Sequence, residues 1–313
     1  MKWLRRLLFL IAIWRLIGPP LRPRFQAEQE HPFRIPATTV FAGDREFAVR
    51  EVGPRDRPVL VMIHGLAGSS LAEWYKVAPL LADDLRVVMI DHRSHGFSHL
   101  DRGKFEISDD ADDVATVMKQ MGIRRAVVVG YSMGGTVAQE LAHRHPELVA
   151  GMVLVATMSH HPLAWKLARS LGAVFTRGWE RLTGTGTPEV RSAYLLAVGA
   201  VERRHAMWLW DETHRRDPEA GAAASLALLR FDSRPWLHAV TTPALVVIPS
   251  RDQLVPVRWQ HELAARLPNA EVIEIEGGHH ELPWSHSDLL AAAIAKFAAV
   301  SDSSSGSARP ESG

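Results

Sequence analysis

Short runs of apolar, mostly β-branched residues recur along the middle of the chain. They occupy residues 59–63, 87–90, 126–129, 152–155, 244–248 and 272–275. Runs of this length are typical of strands that are buried on both faces of a sheet. Because segments with helical periodicity separate the runs, the pattern predicts parallel strands covered by helices.

A different pattern precedes the first of these runs. Residues 39–41 and 47–52 are joined across Gly43 and Asp44, which is typical of an antiparallel hairpin. Predicted helices lie at residues 71–81, 109–121, 133–144, 259–267 and 285–297. Together these elements predict an α/β fold, with a mostly parallel, eight-stranded sheet and helices on both of its faces.

A long interruption follows residue 155, because the next strand-like run begins only at residue 244. The intervening segment is rich in Trp, Leu, Ala and Arg, and so long a loop without structure of its own is improbable in a compact domain. We therefore predict an inserted helical cap at 158–236 and a core formed by 37–157 and 237–299. The tryptophans of the cap are expected to pack in its own small core rather than around a cofactor.

The two ends of the chain differ in character from the middle. Residues 1–25 carry basic but no acidic side chains around an apolar run at 7–14, which Arg15 and Gly18-Pro19-Pro20 end short of the roughly 20 residues of a membrane span. We expect this segment to be an uncleaved membrane contact or an export signal. The alternative is that the segment forms a helix packed on the protein's own domain. A cytoplasmic location then stays open. Residues 300–313 predict a disordered tail.

Composition excludes several classes of protein and of site. Hydrophobic residues make up 47% and charged residues 23% of the 313, as in soluble globular proteins. A net charge of +1 offers no field for nucleic acid. The absence of cysteine removes disulfides, thiolate nucleophiles and zinc–thiolate sites. No glycine-rich nucleotide motif follows the first strand, so no cofactor is expected.

The strongest chemical motif is Gly130-Tyr131-Ser132-Met133-Gly134, which follows a predicted strand and opens a predicted helix. In a G-x-S-x-G motif the serine occupies a sharp turn that exposes its hydroxyl at the helix N-terminus. A helix-capping serine in a tight turn would explain the pattern without catalysis. The order of strand, turn and helix favours Ser132 as a nucleophile.

A serine nucleophile needs a base and an acid that orients the base, and both are expected downstream. Asp252 follows the strand-like run that ends at residue 248, and we predict it as the acid. His279 and His280 follow two glycines after the last run. We predict His279 as the base, and His280 stays open as the alternative because sequence does not orient neighbouring loop residues.

A tetrahedral oxyanion needs two preorganised donors. In this arrangement one is the amide of the residue after the nucleophile, Met133, and the other comes from the loop after the third strand. That loop reads His64-Gly65-Leu66-Ala67-Gly68, and we predict the amide of Leu66 as the second donor. His64 is expected to support the loop and not to act as a second base.

The motifs above, in their order, resemble the α/β-hydrolase fold family, in its branch with a helical cap after the sixth strand. The resemblance extends over residues 40–297 and includes Asp91-His92-Arg93-Ser94-His95-Gly96-Phe97-Ser98, where Ser94 stands in the place of the family's first glycine. It implies the same triad. A serine rather than an aspartate nucleophile argues against the epoxide-hydrolase and dehalogenase branches.

We expect a serine carboxylic-ester hydrolase that acts through an acyl-enzyme. The apolar cap and the N-terminal segment favour small-molecule acyl or lipid-like esters, such as monoacylglycerols. A thioesterase, a C–C bond hydrolase and a cofactor-free haloperoxidase-like enzyme share the triad and stay open. A non-catalytic ligand-binding protein is the alternative of another class. The histidines at 92, 95, 143 and 145 do not have zinc-site spacing, so no metal is expected.

Overall fold

A computed structural model describes residues 35–101, 105–162, 187–213 and 217–305, and its centre is one eight-stranded sheet. The strands are β1 (Thr38–Ala42), β2 (Arg45–Val52), β3 (Val59–Ile63), β4 (Arg86–Ile90), β5 (Ala126–Tyr131), β6 (Val149–Val155), β7 (Ala244–Pro249) and β8 (Ala270–Ile275). Their order across the sheet is β1-β2-β4-β3-β5-β6-β7-β8. The two pairings of β2 are antiparallel and the other five are parallel, which confirms the predicted fold class.

The described helices either cover the two faces of the sheet or belong to the insertion between β6 and β7. They are α1 (Ser70–Trp74), α2 (Ala78–Leu81), α3 (Ile107–Gln120), α4 (Met133–Arg144), α5 (Thr187–Ala197), α6 (Ala206–Thr213), α7 (Pro218–Arg230), α8 (Val257–Arg266), α9 (Leu282–Ser285) and α10 (Ser287–Ser305). Of these, α5, α6 and α7 are the helices of the insertion. Alternate residues of β3 point to opposite faces. Val61 and Ile63 pack in the cluster with α3, α4 and α8, whereas Leu60 and Met62 pack in the cluster with α1, α2 and α10. Burial on both sides explains why the central strands, β3 to β7, are continuous apolar runs. The run at 272–275 was predicted as buried on both faces, but β8 lies at the edge of the sheet and Val272 is exposed.

The predicted helix at 71–81 is two short helices. Pro79 lies in the first turn of α2, where its missing N–H costs no hydrogen bond. In an uninterrupted helix the proline ring would instead clash with the carbonyl four residues earlier, at Tyr75. The break keeps α1 as a separate turn beside the loop that follows β3.

The last helix extends beyond the predicted start of the tail at residue 300. It runs to Ser305, and Ser301 is buried and donates its hydroxyl to the Phe297 carbonyl at 3.0 Å. The polar composition of this stretch therefore did not mark the helix end. Residues 306–313 lie outside the described part of the chain.

The predicted insertion lies between β6 and β7, and its described part contains α5, α6 and α7. Its two connections to the core are tied together: the Ser233 N–H donates to the Ser159 carbonyl at 2.9 Å, and its hydroxyl donates to Gln139 Oε1 of α4 at 2.7 Å. His160 and Asp232 form an antiparallel bridge beside this point. The insertion thus leaves and re-enters the core at one place. The cap boundaries at 158 and 236 remain a prediction.

The proposed membrane contact at 1–25 falls outside the described residues. Within the ranges 35–101, 105–162, 187–213 and 217–305, none of the helices combines the length and the apolar character that crossing a bilayer requires.

Candidate active site

Ser132 occupies a strained turn between β5 and α4. Its φ of +53° and ψ of −115° lie in a region of backbone conformation where residues other than glycine are rare. The Ser132 N–H donates to the Val155 carbonyl at 2.9 Å, and its carbonyl accepts from the Thr157 hydroxyl at 2.7 Å. These bonds from neighbouring β6 and the residues after it hold the turn, which raises the serine hydroxyl above the carboxyl end of the sheet.

Two glycines of the motif allow the turn to pack this closely. A Cβ at Gly130 would lie 2.3 Å from the Gly134 carbonyl oxygen, and a Cβ at Gly134 would lie 2.3 Å from the carbonyl oxygen of Ile63. Side chains at either position would push α4 away from β5 or β3. The first turn of α4 therefore lies directly against the backbone that leads into the loop after β3.

The imidazole beside Ser132 belongs to His280, and the prediction of His279 as the base is wrong in this structure. His280 Nε2 lies 3.1 Å from Ser132 Oγ, and His280 Nδ1 lies 2.9 Å from Asp252 Oδ2. The turn after β8 explains the choice, since Gly277 has a φ of +71° and the Tyr131 hydroxyl donates to the His280 carbonyl at 3.0 Å. This bond fixes the backbone that carries His280 beside the nucleophile.

Asp252 lies where the sequence predicted it, after β7, and its side chain is completely buried. Its Oδ1 accepts the N–H groups of Leu254 and Val255, both at 2.8 Å, and its Oδ2 accepts from Gln260 Nε2 at 3.0 Å as well as facing His280. Hydrogen bonds to the charged form stabilise a buried carboxylate. They also fix the direction in which it faces the imidazole.

The partners of His280 determine its tautomer. A carboxylate can only accept, so the neutral ring carries its proton on Nδ1 and donates it to Asp252. His280 Nε2 is then the acceptor for the Ser132 hydroxyl proton. The ring is mostly buried, with 13% of the side chain exposed, and it lies 5.3 Å from the Tyr131 ring between centroids. The arrangement is that of a nucleophile, a base and an acid that orients the base.

The loop after β3 passes over the same serine. A Cβ placed at Gly65 would lie 3.2 Å from Ser132 Cβ, so Leu66 follows immediately beyond the nucleophile. Met133 is the first residue of α4, where helix N–H groups have no partner within the helix. The two amides predicted as oxyanion donors, Leu66 and Met133, thus belong to the segments that flank Ser132.

A group of buried imidazoles supports this loop from within the protein. His64 Nδ1 lies 2.8 Å from the Gly65 carbonyl oxygen, and the His92 N–H donates to His64 Nε2 at 3.0 Å. His92 Nε2 lies 2.7 Å from the His64 carbonyl oxygen, and its Nδ1 contacts Asp110. Burial opposes a charge on His92, but the Asp110 carboxylate holds the pKa of His92 above its usual value. His64 therefore contacts the loop as predicted.

Several other histidines and tryptophans of the described residues pack against neighbours. His145 Nε2 lies 2.7 Å from Asp112 Oδ1, and the His143 ring stacks on Trp236 at 4.3 Å. Trp208 is buried against Tyr75, with ring centroids 5.2 Å apart. In the portion of the chain that the structure describes, no cluster of three His, Asp or Glu side chains could hold a metal ion. Trp165 and Trp179 lie outside that portion.

Sequence inspection missed three side chains that hold the site. Gln260 of α8 bonds Asp252, Tyr131 bonds the His280 carbonyl and Thr157 bonds the Ser132 carbonyl. Tyr131 is inside the G-x-S-x-G motif, so its position was a signal. Gln260 and Thr157 belong to other elements, and only the folded chain brings them to the triad.

Comparison with known proteins agrees with the fold. A family model described as alpha/beta hydrolase fold matches residues 58–193. A Caulobacter segnis protein named "Putative carbamate hydrolase RutD" is 29% identical over 250 residues, which cover 77% of this chain and 91% of the relative. The pimeloyl-(acyl-carrier protein) methyl ester esterase of Xanthomonas campestris pv. campestris is 31% identical over 254 residues, which cover 78% of this chain and 96% of the relative.

A solved structure shows the same architecture. The enol-lactonase from Burkholderia xenovorans LB400 superposes with a TM-score of 0.72 at 23% identity, over 83% of this chain and 99% of that one. The sheet order, the turn at Ser132 and a relative matched over nearly its whole length lead to one assignment. The chain belongs to the α/β hydrolase fold family of hydrolases.

Proposed function

We propose that the protein is a serine hydrolase that cleaves carboxylic esters through an acyl-enzyme. The observation that carries the proposal is the continuous hydrogen-bonded line from Ser132 Oγ through His280 to the buried Asp252. A serine hydroxyl is a weak nucleophile at its ordinary pKa, and an adjacent base activates it. The line supplies the base and the group that keeps the base in the required tautomer.

In the acylation step Ser132 Oγ attacks the ester carbonyl carbon while His280 Nε2 takes the hydroxyl proton. The carbonyl oxygen becomes an oxyanion, which the Leu66 and Met133 N–H groups stabilise. Collapse of this intermediate breaks the bond to the leaving alkoxide, and His280 returns the proton to it. Asp252 stabilises the imidazolium that exists between the two proton transfers.

The deacylation step repeats these moves with water. The water oxygen attacks the acyl carbon while His280 takes a proton from the water. The Leu66 and Met133 amides bind the second oxyanion. The bond to Ser132 Oγ then breaks, and the proton on His280 passes to the serine oxygen. The products are an alcohol and a carboxylic acid, and the enzyme returns to its starting state.

For the substrate we propose acyl or lipid-like esters, with monoacylglycerols as the test case. The Xanthomonas campestris relative is named as an esterase of an acyl methyl ester, and the insertion between β6 and β7 supplies buried apolar residues such as Leu195 and Trp208 beside the core. Carbamates form a second candidate class, because the Caulobacter segnis relative is named for carbamate hydrolysis. Attack by serine on a carbamate carbonyl would use the same residues.

A chain-length series of p-nitrophenyl esters, with a p-nitrophenyl carbamate alongside, tests the proposal. We expect the wild type to hydrolyse the esters, with kcat/KM rising with acyl length, and to release glycerol from a monoacylglycerol. Ser132→Ala removes the nucleophile, and loss of a triad member lowers kcat by about 10⁴-fold or more. Equal ester hydrolysis by the wild type and Ser132→Ala would overturn the proposal, and faster carbamate turnover would favour the second class.

A further inference from the structure

A completely buried carboxyl group lies beneath the loop that connects β3 to α1. Glu73, in α1, is 0% exposed, and its Oε2 accepts a hydrogen bond from the Gly65 N–H at 2.6 Å. The proposed reaction gives this side chain no role. Burying a carboxylate is costly unless it is hydrogen-bonded, and hydrogen bonds between a carboxylate and a backbone amide are among the strong ones. The Gly65 amide is therefore held firmly.

The peptide group that joins His64 to Gly65 is held at both of its ends. Its N–H donates to Glu73, and its carbonyl oxygen, that of His64, lies 2.7 Å from His92 Nε2. The C=O and N–H of a trans peptide point in opposite directions, so Glu73 and His92 hold the plane from opposite sides. Rotation of this peptide would break one bond or both.

The next peptide group carries the amide of Leu66. Its carbonyl oxygen, that of Gly65, lies 2.8 Å from His64 Nδ1, and the Leu66 N–H belongs to the same rigid plane. The N–H therefore points away from the His64 ring. Because Gly65 has no side chain to restrict its backbone, the direction of the Leu66 N–H depends both on this contact with His64 and on how the preceding His64–Gly65 peptide is fixed.

We propose that Glu73 is a positioning residue. Its carboxylate fixes the His64–Gly65 peptide and thereby aims the N–H of the next peptide, that of Leu66, at the oxyanion. The inference rests on the proposed function, since it deepens the account of the same site. Glu73 acts through Gly65 and does not touch the substrate. An oxyanion donor contributes only when it is directed at the place where charge develops, so a shift of the loop affects the transition state more than substrate binding.

Substitution of Glu73 tests the inference, because a positioning role predicts that kcat falls while KM stays nearly the same. Removing an oxyanion donor costs about 10²–10³-fold in kcat, and we expect Glu73→Ala, which misdirects one donor, to lose about 10- to 100-fold in kcat with KM nearly unchanged. Glu73→Gln keeps an oxygen that can accept from Gly65 and should retain most of the activity. Glu73→Asp shortens the side chain and should fall between them.

The control is Leu71→Ala, which removes a buried side chain from the same helix and leaves Glu73 in place. It should lower the melting temperature and leave kcat close to that of the wild type. An alkyl trifluoromethyl ketone, which forms a tetrahedral adduct with serine, should bind more weakly to Glu73→Ala and unchanged to Leu71→Ala. Wild-type kcat in both Glu73→Ala and Glu73→Asp, or equal losses of kcat in Glu73→Ala and Leu71→Ala, would overturn the inference. If Glu73→Ala does not fold, the Asp and Gln variants decide.

Covalent labelling separates failure of this inference from failure of the proposed function. An alkyl fluorophosphonate reacts with an activated serine, and its phosphoryl oxygen occupies the place of the oxyanion. If the wild type is labelled but hydrolyses no ester, the proposed substrate class fails, and slower labelling of Glu73→Ala than of Leu71→Ala still supports the role of Glu73. If the wild type is neither labelled nor active, both proposals are overturned.

Discussion

Two adjacent histidines differ in surroundings that the sequence does not reveal. His279 and His280 both follow Gly278, but only His280 faces Ser132 and Asp252, and the Tyr131 hydroxyl holds its carbonyl. The motif alone located the proposed base to within one residue. The choice between the two depends on the turn at Gly277, whose φ of +71° sets the direction of the chain after β8.

We expect His280→Gln to abolish ester hydrolysis, with a loss of about 10⁴-fold or more in kcat, because in the proposed reaction His280 Nε2 takes the Ser132 proton. His279→Gln is the matched control, since it makes the same change one residue away and should stay within about threefold of the wild type. Steady-state kinetics with p-nitrophenyl butyrate would measure both variants. The opposite order of effects would return the role of base to His279.

Ser94 shows a departure from the family pattern that the sequence located and the structure explains. The residue has a φ of +61°, in the left-handed region where a glycine is favoured. Its hydroxyl donates to the Asp101 carbonyl and accepts the Asp101 N–H, both at 2.9 Å. These local bonds offset the strain of a side chain at a glycine position, which is why the substitution leaves the loop in place.

At the scale of elements, the sequence predicted the pieces whose signal is local. Burial on both faces makes each central strand an apolar run, and α4 was predicted at the residues where it lies, 133–144. The contact between α6 and the loop after β3 has no local sequence pattern that would predict it. Glu212 of α6 accepts a hydrogen bond from the Ser69 hydroxyl at 2.9 Å, across 143 residues of sequence. Only folding brings these two residues together.

The Glu212 contact should hold the insertion to the core. Glu212 is 7% exposed, and the Ser69 hydroxyl that it binds also caps α1 by accepting the Ala72 N–H. We expect Glu212→Ala to lower the free energy of unfolding by about 1–3 kcal/mol. The substitution removes a buried hydrogen bond to a carboxylate, and the Ser69 hydroxyl loses this acceptor. Chemical denaturation followed by tryptophan fluorescence would measure the change.

The control for that prediction is Asp211→Ala, which removes an exposed carboxylate from the same turn of α6. Surface substitutions usually change stability by no more than about 0.5 kcal/mol. Glu212→Gln, which keeps an acceptor oxygen, should recover part of the loss. Equal stability of the wild type, Asp211→Ala and Glu212→Ala would show that Glu212 does not anchor α6 to the loop.

At the scale of the whole molecule, the described strands, the triad and the loop at Leu66 all lie after the basic N-terminal segment in the sequence. The first strand begins at Thr38, and Ile35 is the first described residue that packs against a hydrophobic cluster. A deletion of residues 1–25 ends ten residues before Ile35 and removes no residue of the sheet, the triad or the loop at Leu66. Catalysis of soluble esters and attachment to a membrane are therefore separable properties if the proposed anchor exists.

We predict that deletion of residues 1–25 releases the protein from anionic phospholipid vesicles and leaves kcat/KM for p-nitrophenyl butyrate within about twofold and the melting temperature within about 2 °C. Six basic side chains and an apolar run are lost together, so both the electrostatic and the hydrophobic contributions to membrane binding disappear. Co-sedimentation of full-length and truncated protein with vesicles measures the first effect. A full-length protein that stays in the supernatant would contradict the anchor, and a large drop in melting temperature on truncation would show that the segment packs on the core instead.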